Sequence, residues 1–136
     1  MKFQPDRLDG VNSITRHEPA AVWVQAERFE ASVLVPWRGP VRPWPVARFE
    51  ALEASHFEQL LALAPELVIF GSGGRLRFVR PALTRALIER RIGIETMDNA
   101  AACRTYNVLA NEGRTVVAAL LLEPAPEGSE SKNEAL

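Results

Sequence analysis

Four small residues, Gly71-Ser72-Gly73-Gly74, follow a short apolar run and form the first place in this sequence that could house chemistry. Glycines let a phosphate or carboxylate approach backbone amides, and in α/β sheets the loops at strand carboxyl ends are where such ligands gather. The spacing matches neither the dinucleotide fingerprint nor the phosphate loop with its Lys-Ser/Thr ending, and a tight turn needing positive backbone angles explains the glycines without a ligand. Further on, AACRTYNVLANEGR places Arg104, Asn107 and Asn111 on one side of a helix, opposite Ala101, Ala102, Thr105, Tyr106 and Leu109. Gly71, Ser72, Gly73, Arg104, Asn107 and Arg114 are therefore the candidate ligand-binding set, a groove suited to an anion. A simple solvated helix face is the alternative.

Other chemistry has little to stand on. Cys103 is the single cysteine, so it forms no intrachain disulfide, and the two histidines, His17 and His56, are far apart in sequence. A nucleophilic Cys103 needs a neighbouring base to become a thiolate, and neither histidine is placed by sequence to serve. It reads as a small inert core thiol, and Tyr106, among apolar neighbours, reads as a core hydroxyl. Six arginines against one acid, Glu89, lie between Arg75 and Arg91. Guanidinium groups grip phosphates, but the chain carries a net charge of −1 and lacks the interleaved aromatics of single-strand binders, which argues against nucleic acid. No catalytic residue, metal site or cofactor is assigned.

The elements that must position these residues follow from patterning. At 136 residues with 47% apolar content, the chain has the profile of a single globular domain. No apolar run approaches the roughly 20 residues that cross a bilayer, and the first ten residues lack a hydrophobic block, so neither a signal peptide nor a membrane anchor is expected and the cytoplasm is the expected compartment. Val22, Val24 and Ala26, then Phe29, Ala31, Val33 and Val35, keep a two-residue period that predicts a hairpin turning at Glu27 and Arg28, with a further strand from Val11 to Arg16. Pro36, Gly39, Pro40, Pro43 and Pro45 predict a connecting loop without ladder pairing, anchored by Trp37 and Trp44. Ser55 and Glu58 have capping-box spacing before a helix whose Phe57, Leu60, Leu61 and Ala64 share a face, closed by Pro65.

Leu67 to Phe70 predicts a buried strand. Leu76 and Phe78 alternate with Arg75 and Arg77 in a short extended piece. Pro81 then opens a helix carrying Leu83, Ala86 and Leu87 on one face, Gly93 ends it, and Ile94 to Met97 resumes as a strand. A third helix starts at Asp98 or Asn99 and stops at Gly113, and Val116 to Leu122 predicts a central strand. Strand–helix–strand–helix–strand implies parallel neighbours in a mixed sheet. After Pro124 almost nothing is left to bury, which predicts a disordered tail over 124–136.

PELVIFGSGGRLRF and GIETMDNAAACRTYNVLANEGRTVVAALL together resemble the family of small domains that includes the mitochondrial respiratory complex I assembly factor three, the adipogenesis-associated Mth-domain proteins and many uncharacterised bacterial and archaeal proteins. The resemblance covers roughly Val11 to Leu122. It implies one Mth-type α/β domain over 1–123, a three-layer arrangement around a mixed sheet with helices and an N-terminal β-hairpin layer. The family's usual Gly-Thr-Gly stands here as Gly71-Ser72-Gly73, and its usual threonine after Met-Asp is Asn99. The resemblance implies no established enzymatic activity or cofactor. It implies a non-enzymatic assembly factor acting through an unidentified protein partner, with the oligomeric state open; the rival reading is a small-molecule, anion-binding domain or enzyme using the cleft between the glycine loop and the third helix.

Overall fold

A computed structural model describes residues 9–124; the tail expected after Pro124 falls at 125–136, outside the described residues. The centre is a five-stranded mixed sheet built from β4 (Val33–Val35), β5 (Arg42–Pro43), β6 (Leu67–Gly71), β7 (Gly93–Met97) and β8 (Val116–Leu120), in the order β5-β4-β8-β6-β7. β6 runs parallel to both β7 and β8, whereas β4 lies antiparallel to β8. A separate three-stranded antiparallel sheet contains β1 (Ile14–Glu18), β2 (Ala21–Val24) and β3 (Glu27–Phe29).

The two-residue period of extended backbone sorts the central strands onto two cores. Val33, Val35, Ile69, Val116, Ala118 and Leu120 face α3 (Asn99–Asn111), which is covered on its far side by Ile14, Val22 and Val24 of the small sheet. Leu34, Val68, Phe70, Val117, Ala119 and Leu121 face the opposite way, onto α1 (Ala54–Glu58) and α2 (Arg85–Glu89). The domain is therefore a mixed α/β fold of stacked layers, with both faces of the central sheet covered. Trp44, Phe57 and Phe70 meet edge to face at 5.5–5.9 Å between ring centroids, a geometry worth about 0.5–1.5 kcal/mol per pair beyond area burial. Trp37 Nε1 donates to the Ala110 carbonyl, so both tryptophans of the proline-rich loop anchor it.

Several local expectations are corrected. The hairpin turns at Gln25 and Ala26, because Gln25 takes the left-handed conformation (φ 54°) and Val24 pairs with Glu27. The alternating run from Phe29 to Val35 is not one strand: it leaves the small sheet after Phe29 and enters the central one at Val33. Arg42 and Pro43 do pair, as an edge strand, where proline's missing donor faces no neighbour. Glu53, not Ser55, takes the N-cap position of α1, and His56 Nδ1 accepts from the Glu53 amide at 2.9 Å, with histidine in the usual glutamate position of a capping box. The α1 segment tightens into a 3-10 turn over Gln59–Leu63 and ends at Ala64 in the left-handed conformation. Arg91 (φ 58°) plays that part after α2, and Gly93 opens β7 instead.

Candidate functional site

The connection from β6 leads through α2 on one face of the central sheet, and the connection from β7 leads through α3 on the other. Where two neighbouring parallel strands send their chains to opposite faces, a crevice opens at their carboxyl ends. Gly71–Gly73 at the end of β6 and Asp98–Ala100 at the end of β7 occupy that position. A cavity of about 350 Å³ lies there, lined by Gly73, Gly74, Asp98, Asn99 and Ala100, and by His17 and Glu18 at the end of β1 and Pro19 in the turn after it.

The polar atoms of Ser72 and Gly73 are engaged by the protein itself. Asp98 Oδ1 caps α3 by accepting from the Ala101 amide at 2.9 Å, which frees the Asn99 side chain for other work. Asn99 Oδ1 accepts from the Gly73 amide at 3.1 Å and Nδ2 donates to the Leu121 carbonyl at 2.9 Å, while its own amide donates to the Gly73 carbonyl at 2.8 Å. One side chain thus ties the ends of β6 and β8 to the start of α3. Gly71 is needed for close approach: a Cβ there would fall 2.3 Å from Asn99 Oδ1. Gly73 is needed for its backbone (φ 107°), and a side chain there would meet Arg77 Nη2 at 2.6 Å.

The Ser72 hydroxyl donates to the Arg75 carbonyl at 2.8 Å and accepts from the Arg77 amide at 2.9 Å, closing the loop as a serine turn with no proton left for a ligand. Arg77 reaches inward. Its Nη2 donates to the Ser72 carbonyl at 2.6 Å and to Glu123 Oε1 at 2.7 Å, and the guanidinium stacks over Phe49 at 4.6 Å. Glu123 Oε2 accepts from the Phe49 amide. Burial alone would raise the Glu123 carboxyl, but hydrogen bonds from Arg77 and Phe49, with the charges of Arg77 and Arg48, carry it below its ordinary value. In the alternating stretch 75–78 Arg77 is thus the inward residue, and Leu76 and Phe78 face solvent.

The remaining candidate residues lie elsewhere. Asn107 pairs through both amide groups with the Ile14 backbone, accepting from its N–H at 2.9 Å and donating to its carbonyl at 2.8 Å, and so pins the small sheet to α3 about 12 Å along the helix from Asn99. Arg114 pairs with Glu66 at 2.8 Å, at the amino end of β6. Hydrogen bonds from Arg114 and the Thr115 amide hold the Glu66 carboxyl below its ordinary value. Arg104 is exposed and makes no hydrogen bond or ion pair among the described residues. Gly71, Ser72 and Gly73 are brought together with Asn99; Arg104, Asn107 and Arg114 do not join them. Burial pushes the Cys103 thiol up to about 12 and the Tyr106 phenol above its usual value, with the Tyr106 hydroxyl donating to the Pro36 carbonyl at 2.9 Å. Among the described residues no three His, Cys, Asp or Glu side chains are grouped to hold a metal ion, and no helix is long and apolar enough to cross a membrane.

Sequence reasoning passed over Arg77, Glu123 and the β1–β2 turn. The readable signal was the Asp98-Asn99 pair, since only one of two capping residues can cap.

Residues 14–121 match the model of a family described as protein of unknown function (DUF498/DUF598). The chain belongs to this family. It is 34% identical over 94 residues to NADH dehydrogenase [ubiquinone] 1 alpha subcomplex assembly factor 3 of Bos taurus, covering 68% of this chain and 50% of that protein. The Mus musculus protein of the same name is 31% identical over 109 residues, covering 79% of this chain and 58% of that one. The chain thus spans about half the length of the curated relatives it matches. A crystal structure of a Bordetella parapertussis protein superposes with a TM-score of 0.80 at 37% identity, covering 86% of this chain and all of that one. A solution structure of a Mth938-like domain from Bordetella pertussis gives 0.79 at 30% identity, covering 96% and 98%. These likenesses agree with the family resemblance drawn from the Gly-Ser-Gly and Met-Asp-Asn strings and with the layered mixed-sheet fold.

Proposed function

We propose that this member of the DUF498/DUF598 family is a non-enzymatic protein-interaction factor that works from the cytoplasm in assembling a membrane-associated respiratory complex. The observation that carries the reading is the identity of 31–34% to proteins named as assembly factors of NADH dehydrogenase. The site geometry supports it: Ser72, Asn99 and Arg77 are spent on tying strand ends together, and the one thiol is buried with its pKa pushed up to about 12. Such a scaffold offers surface more readily than reactivity. Deleting the gene in the native host and resolving respiratory complexes by blue-native electrophoresis tests this. Loss of the assembled NADH dehydrogenase with accumulation of subcomplexes, restored by the wild-type gene, is expected; an unchanged complex profile overturns the reading.

A second reading is favoured by the cavity at the ends of β6 and β7. An anionic small molecule there would meet Gly73, Gly74, His17 and the start of α3, beside the carboxylates of Glu18 and Asp98. A thermal-shift panel of phosphates, nucleotides and carboxylic acids decides it. A ligand at about a hundredfold above its Kd adds roughly 2.7 kcal/mol, and no shift across the panel removes this reading.

A further inference from the structure

Residues 75–91 carry six arginines against Glu89, a local charge of +5, in a chain whose total is −1. Arg77 is neutralised by Glu123, so the exposed part of the segment carries five arginines against Glu89, a charge of +4. Because Arg77 is held inward by the Ser72 carbonyl and Glu123, its neighbours Leu76 and Phe78 are thrown outward, 51% and 71% exposed. On α2, Ile88 is 57% exposed beside the fully buried Leu87. Arg75, Arg80, Arg85, Arg90 and Arg91 are exposed along the same segment.

Exposed apolar side chains separated in sequence by arginines make a poor protein-docking core, which requires a packed, shape-complementary centre. The cavity described above is lined by other residues. A bilayer surface has no such requirement: aromatic and aliphatic tips enter the headgroup–acyl boundary while arginines pair with lipid phosphates. We infer that the segment from Arg75 to Arg91 is a peripheral docking surface for anionic lipid membranes, with Phe78 and Leu76 as its inserting tips and the exposed arginines as its phosphate contacts. This does not rest on the assembly reading, since a membrane-docked protein need not assemble anything.

The test uses the full chain and vesicles of phosphatidylcholine with or without 30 mol% phosphatidylglycerol, a composition of order chosen to resemble anionic cell membranes. Co-sedimentation is expected with the anionic vesicles only, lost at high salt as phosphate contacts are screened. Each Arg→Glu change at Arg80 or Arg85 should weaken binding by about fivefold or more, and Leu76→Ser with Phe78→Ser should weaken it at least tenfold. Arg42→Glu, on the remote edge strand β5, should leave it unchanged. Because Cys103 is buried, Phe78→Cys accepts a single environment-sensitive label, whose emission should rise on anionic vesicles and not with inorganic phosphate. Equal binding to neutral vesicles, no sedimentation, or binding only to polyglutamate overturns the proposal, the last reassigning the surface to an acidic protein segment.

Discussion

Replacing Asn99 by alanine removes the one side chain that joins β6, β8 and α3. The change leaves the Gly73 amide and the Leu121 carbonyl without their partners at 3.1 and 2.9 Å, while the backbone bond from residue 99 to the Gly73 carbonyl survives. Gly73 and Leu121 are buried, and a buried unpaired backbone group costs about 1–3 kcal/mol. Asn99 itself is half-buried at the mouth of a cavity, where water can reach one orphaned group, so the expected loss is about 2–3 kcal/mol. For a domain of this size that corresponds to a fall in Tm of about 8–15 °C. Urea unfolding followed by circular dichroism measures it. Gly71→Ala supplies the control, because its Cβ would meet Asn99 Oδ1 at 2.3 Å and Leu120 Cδ2 at 2.9 Å. In the Asn99→Ala background the first clash is gone, so the penalty of Gly71→Ala should shrink by about 1 kcal/mol or more. A loss below about 0.5 kcal/mol for Asn99→Ala, together with equal Gly71→Ala penalties in both backgrounds, would show that Asn99 does not hold these strand ends together.

Further outcomes follow from single contacts. Asn107→Ala should expose the Ile14 backbone groups and speed hydrogen exchange across β1 while α3 and the central sheet stay protected, as read by exchange mass spectrometry. Glu123 has a folded pKa below its ordinary 4.5, so its stabilising contribution is complete above that pH and is lost as pH falls through the lowered value; Glu123→Gln should flatten that part of the acid-unfolding curve and leave the slope elsewhere intact. Native Cys103, with its thiol near 12, should react with an aromatic disulfide reagent no faster at pH 9 than local opening allows, and at the ordinary rate once unfolded in urea. Tyr106→Phe should cost about 1 kcal/mol in urea unfolding, because the Pro36 carbonyl keeps its second donor, Asn12 Nδ2.

The regular part of this fold was legible because period and burial coincide. Leu67 to Phe70 and Val116 to Leu122 are apolar at every position, and both central strands are covered on both faces. Asp98, Gly113 and the stripe containing Ala102 and Tyr106 marked the third helix in the same way, and both stripe residues are buried. Local pattern failed where one residue type served two ends. Phe29 to Val35 keeps perfect alternation across a change of sheet, which only tertiary pairing reveals. Residues 75–78 alternate as read, but which of them turns inward depends on Glu123, distant in sequence, which pairs with Arg77 while Leu76 and Phe78 stay exposed. His56 as the partner of Glu53 hid a cap that glutamate would have announced. At the site, glycine loop and helix start were both visible, yet their relation was not: the Asn99 amide that joins them looks, in sequence, like a second helix cap.

Capture of the tagged chain from its native cells in mild detergent, with quantitative mass spectrometry across independent preparations, tests the interaction reading most directly. A reproducible protein partner is expected, recovered in near-stoichiometric amount and retained by Cys103→Ser, because the Cys103 thiol is buried. Recovery of the chain only as a free monomer, under conditions that keep membrane complexes whole, would contradict it.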